Sequence, residues 1–93
     1  MNDEKTHLKS WSHFFQAIKD GRKRHDLRTK QDRNFYIGQR LILEEYDPFK
    51  GEYSGEKLEV EVTYITSNDT PCAFSSAVLP RDYCILSLKV VDS

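Results

Sequence analysis

Between Lys57 and Tyr64 the chain alternates strictly: Leu58, Val60, Val62 and Tyr64 interleave with Lys57, Glu59, Glu61 and Thr63. A period of two sends successive side chains to opposite faces of an extended backbone, so the stretch predicts a strand with one apolar and one solvated face. The apolar face must be covered, and the cover is written near the N-terminus. Trp11, Phe14, Phe15 and Ile18 fall at i, i+3, i+4 and i+7, one side of an amphipathic helix of about three turns. Ser10 or Ser12 stands where an N-cap is needed, and Gly21 where a left-handed residue ends the helix.

The other strands are shorter signals. His7 to Lys9 reads as a strand ahead of the helix, Arg24 to Arg28 as one after it, Gln39 to Tyr46 as the partner of the alternating strand, and Tyr83 to Val91 as the last. Between Arg28 and Gln39 lies a polar loop, Thr29 to Asn34, with Phe35 pinning it to the core. Asp47-Pro48-Phe49-Lys50-Gly51 and Ser54-Gly55 carry turn chemistry, which makes the central pair a hairpin. Residues 67 to 82, with Pro71 and Pro80, read as an irregular connection under which Ala73 and Phe74 pack. The order β-α-β-β-β-β predicts an α+β fold, a small sheet curled into a barrel around one main N-terminal helix.

Ninety-three residues fit one domain, 1–93, with the first five residues mobile. No segment approaches the ~20 apolar residues of a membrane span. The opening Met-Asn-Asp-Glu-Lys lacks the basic-then-apolar order of a secretory signal, which predicts a cytoplasmic protein with Cys72 and Cys84 reduced. His7, His13 and His25 show no ligand spacing with either cysteine, so neither a metal nor a cofactor is expected. The net charge of −1 conceals a division: residues 1 to 40 carry ten Lys/Arg against five acids (+5), and residues 41 to 93 carry four against ten (−6). A polyanion is the natural partner of the basic half.

One ordered set of residues is distinctive: His7-Leu8-Lys9 with Trp11, Phe15 with Ala17-Ile18, Gly21-x-Lys23, Leu27-Arg28, Asp32-Arg33-x-Phe35-x-x-Gly38, and Leu41-x-Leu43-x-Glu45-Tyr46-Asp47. In this order they resemble the ASCH superfamily, and within it the short single-domain bacterial and phage branch. The resemblance runs from His7 to about Tyr64 and returns from Tyr83 to Lys89. It implies a PUA-like β-barrel with a cleft, between the helix and the strands after it, that receives RNA or a nucleotide. Family members include an amidohydrolase that removes the acetyl group of 4-acetylcytidine, and some relatives act as ribonucleases. The hydrolase's catalytic lysine falls on Lys23, but its threonine nucleophile falls on Asp26, and a carboxylate cannot replace a hydroxyl nucleophile without a different mechanism. The hydrolase's glutamate has no counterpart that can be aligned.

The residues themselves point to the same place. Lys23, Arg24, Asp26 and Arg28 cluster just after the helix, where Arg supplies a planar fork and Lys a point charge for phosphate or a base edge. In an enzyme, Lys23 and Asp26 would be the acid/base pair; otherwise Asp26 neutralises Arg24 or Arg28 on a solvated strand face. Lys9 and Trp11 straddle the helix entry, where an indole can stack on a base while the ammonium contacts phosphate, although Trp11 also belongs to the apolar stripe and so to a core. Arg33 lies in a loop that can close over a ligand. His7 and His25 read as structural or exposed, Tyr46 and Tyr64 as barrel wall, and Cys84 as a buried small hydrophobe. Three readings follow: an RNA- or nucleotide-binding module, a small hydrolase of a modified nucleoside or RNA, and a protein-interaction domain of unspecified oligomeric state.

Overall fold

In the computed structural model, residues 5–30, 34–71 and 78–91 are described, and the alternating stretch forms the middle of the longest strand. The elements are β1 (Thr6–Trp11), α1 (Ser12–Lys19), β2 (His25–Thr29), β3 (Arg40–Asp47), β4 (Glu52–Ser67) and β5 (Tyr83–Val90), in the order the sequence predicts. They form one five-stranded sheet, β1-β3-β4-β5-β2. β1 runs parallel to β3, and every other neighbouring pair is antiparallel. The sheet is a curled half-barrel, which places the protein among small α+β barrel-like folds.

Alternation decides what lies inside. Leu8 of β1, Leu41 and Leu43 of β3, Val60 and Val62 of β4, and Cys84, Leu86 and Leu88 of β5 meet Phe15 and Ile18 of α1 in one buried cluster. Each large apolar side chain buried there stabilises the fold by roughly 1.5–3 kcal/mol relative to exposure. A one-residue slip of any strand would turn its whole set outward, so the cluster also fixes the register.

Four local expectations are corrected. The helix has eight residues, about two turns, because the backbone of Ser10 and Trp11 stays in the β1 ladder opposite Glu45 and Tyr46. Trp11 occupies the N-cap position without a side-chain cap bond, so neither serine caps. Ser10 is buried within the strand, and Ser12 donates its hydroxyl to the Tyr46 carbonyl at 3.2 Å. Trp11 and Phe14 therefore fall outside the core, which takes only Phe15 and Ile18 from the stripe. In β4 an irregularity between Val62 and Tyr64 shifts the pairing with β5 and turns Tyr64 to solvent, against the alternation that placed it inside. The helix stop is as expected: Gly21 has φ +82°, and the Arg22 and Lys23 N–H groups both donate to the Ala17 carbonyl at 3.0 Å.

Beyond β4, the Ser67 N–H donates to the Thr70 carbonyl at 3.2 Å, and the Asn68 side chain donates to the Leu79 carbonyl. Residues 1–4, Asp32, Arg33, Cys72, Ala73 and Phe74, with the expectations attached to them, lie outside the described residues. No helix among the described residues is long and apolar enough to cross a membrane.

Candidate functional site

β2 inverts the usual arrangement of a half-buried strand. Asp26 and Arg28 point into the concavity, with only 13% and 19% of their side chains exposed, while Leu27 faces outward. The inversion is possible because β2 is an edge strand paired only with β5, so its inner face looks across the open side of the half-barrel toward β1, the other edge. No backbone ladder joins β1 to β2. Instead Arg28 spans the seam: its Nε donates to Asp26 Oδ2 at 2.6 Å and its Nη2 to the Lys9 carbonyl at 2.8 Å. The guanidinium thus satisfies an acceptor on the β1 edge that a closed barrel would satisfy with an N–H.

A cavity of about 460 Å³ lies along this seam, walled by Lys9, Ser10 and Trp11 of β1, Phe14 of α1, Lys23, and Asp26, Leu27 and Arg28 of β2. Its size falls in the range of roughly 300–1,000 Å³ usual for small-molecule sites. Gly21 is what brings Lys23 here, because the left-handed turn reverses the chain directly behind the helix. The Lys23 ammonium donates to the His25 carbonyl at 2.6 Å, stands 4.0 Å from Asp26 Oδ1 and lies 5.7 Å from the centre of the Phe14 ring. Lys9 extends over the Tyr46 ring at 4.2 Å. Trp11, 51% exposed, stacks on Phe14 with the ring planes 16° apart and the centres 6.3 Å apart.

Among the described residues the cavity has three cations, Lys9, Lys23 and Arg28, against the single anion Asp26, a net +2. Asp26 faces a cation from each oxygen, an arrangement that fixes the two basic groups in place. A second concavity, of about 850 Å³ on the outer face of the sheet, pairs two of its basic groups with acids: Lys5 and Arg40 meet Glu59 at 3.3 and 3.1 Å, and Arg40 meets Glu61 at 3.4 Å. What the seam adds to its cations is an exposed indole stacked on a phenyl ring.

Of the residues singled out in the sequence, Lys9, Trp11, Lys23, Asp26 and Arg28 are brought together here. Arg24 is not: its Nε donates to the Gly21 carbonyl at 3.2 Å, and its side chain lines a separate hollow with Ile18, Leu88 and Val90. Tyr46 lies beside the cleft, under Lys9. Cys84 is fully buried, and desolvation raises its thiol pKa, which removes it as a nucleophile. Sequence reasoning missed the two apolar walls, Phe14 and Leu27. It also missed Glu45, buried on β3, which accepts from Gln16 Nε2 at 2.9 Å and Ser54 Oγ at 2.6 Å. These bonds, Gln16 first, lower the Glu45 pKa against the opposing effect of burial. Glu45 ties α1, β3 and β4 together one strand behind the cleft. Among the described residues no group of three or more His, Cys, Asp or Glu is placed to hold a metal.

Residues 6–88 match the family described as a domain of unknown function, DUF3850. The chain is also 35% identical over 66 residues to the uncharacterised 12.9 kDa protein in the GpA 3′ region of Escherichia phage P2. That alignment covers 71% of this chain and 54% of the phage protein, so the chain spans about half the length of the curated relative it matches.

Proposed function

The chain belongs to the DUF3850 family of domains of unknown function, and from that premise we propose that its open seam binds a nucleotide, free or as part of an RNA strand. The observation that carries the reading is the meeting, in one cavity of about 460 Å³, of three cations with an exposed indole stacked on a phenyl ring. Phosphate needs the former and a base the latter. Neither edge strand could hold such a guest alone. We further propose an ASCH-type, PUA-like domain; the position of the cleft, between the end of α1 and β2 with Lys23 on its wall, supports this. Binding is favoured over hydrolysis because Asp26 is engaged by both Lys23 and Arg28, and the cleft's hydroxyl, on Ser10, is buried.

Trp11 is the only tryptophan, so its fluorescence reports on the site directly. Titration with a mononucleotide and with single-stranded RNA is expected to quench it. For RNA the logarithm of affinity should fall against the logarithm of salt with a slope of about 0.7 per neutralised phosphate. Lys23→Ala should weaken both. No quenching at low salt, or a salt-independent affinity for RNA, would overturn the proposal, while turnover of acetylated cytidine lost in Lys23→Ala would replace it with the hydrolase reading.

A further inference from the structure

The register of the sheet places three aromatic residues side by side: Trp11 of β1 is opposite Tyr46 of β3, and Tyr46 is opposite Tyr53 of β4. Trp11 and Tyr53 are each about half exposed, and the Tyr46 and Tyr53 rings meet edge to face with centres 5.0 Å apart. With neighbouring strands about 4.8 Å apart, the row crosses roughly 10 Å of sheet. The next level on the same face reads Lys9, Glu44, Lys57 across the same strands. Lys9 joins the two levels, since its ammonium lies over Tyr46 while its side chain walls the seam. Two nearby acids have partners: Glu44 meets His7 Nδ1 at 3.2 Å, and Asp47 accepts the N–H groups of Phe49 and Lys50.

The geometry points to a single-stranded nucleic acid as the guest, lying from the seam across this row, with its bases on the exposed rings of Trp11 and Tyr53 and its phosphates toward Lys9, which stands over Tyr46 between them, and Lys57. This rests on the nucleotide reading of the seam and extends it from one nucleotide to a short strand. Aromatic faces suit bases of any identity, so affinity follows length more than sequence. The two lysines beside the row supply the charge complementarity that an apolar protein partner would not need.

The test compares uridine monophosphate with oligouridylates of two to six residues, followed by Trp11 fluorescence in the full chain. Affinity is expected to rise with length. Tyr53→Ala should weaken the hexamer about tenfold and leave the monophosphate unchanged, and Tyr53→Phe, which keeps the ring, should restore the hexamer. Tyr53→Leu, which keeps apolar bulk without a π face and guards against a folding defect in the alanine variant, should show the same loss. A hexamer no tighter than the monophosphate, or full hexamer affinity in Tyr53→Ala or Tyr53→Leu, overturns the extended strand and leaves the seam standing. Failure of both ligands to bind overturns the two together.

Discussion

Arg28 connects groups that the chain keeps far apart, with Asp26 on its own strand and the Lys9 carbonyl on the opposite edge. Replacing it with alanine leaves a poorly solvated carboxylate without its closest partner and a strand-edge carbonyl unpaired, and is expected to lower stability by about 1–3 kcal/mol in urea denaturation. Arg28→Lys should recover little of this, because one ammonium on a flexible stem lacks the fork that reaches both acceptors. Glu45 makes a different prediction. Its carboxylate is held below the ordinary value of 4.5 by Gln16 and Ser54, so the stabilisation is fully present above that value and is lost as pH falls through the lower folded pKa. Glu45→Gln, which sets an amide against the Gln16 donor, should therefore destabilise at pH 7 by about 1–3 kcal/mol. The difference from the unaltered protein should shrink at acid pH, as denaturation at the two pH values would show. At this scale Lys23 and Arg28 were legible, since both lie within three residues of Asp26 in the chain, whereas Arg24, equally close, turns to another hollow. Glu45 was not, because an acid in a strand shows its burial only through partners from two other elements.

At the scale of elements, order was legible and extent was not. The helix stripe named four residues, but the ladder between β1 and β3 holds Ser10 and Trp11 in extended form, and only Phe15 and Ile18 reach the core. What looked like surplus core became one wall of the cleft. The alternation in β4 was read correctly up to Val62 and failed at Tyr64, where a shift in pairing reverses the faces with no local signal in the sequence. β2 alternates in the opposite sense, with apolar Leu27 facing outward while its charged neighbours Asp26 and Arg28 face inward. Gly21 was legible because its role is purely one of backbone conformation. At φ +82° a Cβ would meet nothing within 4 Å, so Gly21→Ala carries no steric clash and should cost only the left-handed penalty of about 1–2 kcal/mol, measurable as a lowered denaturation midpoint. Because the same turn places Lys23, the substitution should also weaken nucleotide quenching of Trp11.

For the whole molecule, the half-barrel has a firm middle and two lighter borders. Among the described residues β3, β4 and β5 are each paired on both sides, whereas β1 and β2 each have one neighbour. Amide hydrogen exchange is expected to be slowest at Leu43, Val60 and Leu86 and faster in β1 and β2, with a bound nucleotide slowing the borders most. Equal protection across all five strands would contradict this division. The α+β character could be seen in the pattern of periods, but the gap between the borders could not, since closure depends on the curl of the assembled sheet rather than on any one segment.

The pairing of β2 with β5, His25 opposite Ser87 and Thr29 opposite Tyr83, makes the C-terminal strand answerable for a hollow to which it contributes no wall. Every described residue lining that hollow lies in the first third of the chain, yet a fragment ending before Tyr83 would lack the template that aims Asp26 and Arg28 inward. Guest recognition would then switch on only once synthesis of the polypeptide had passed β5.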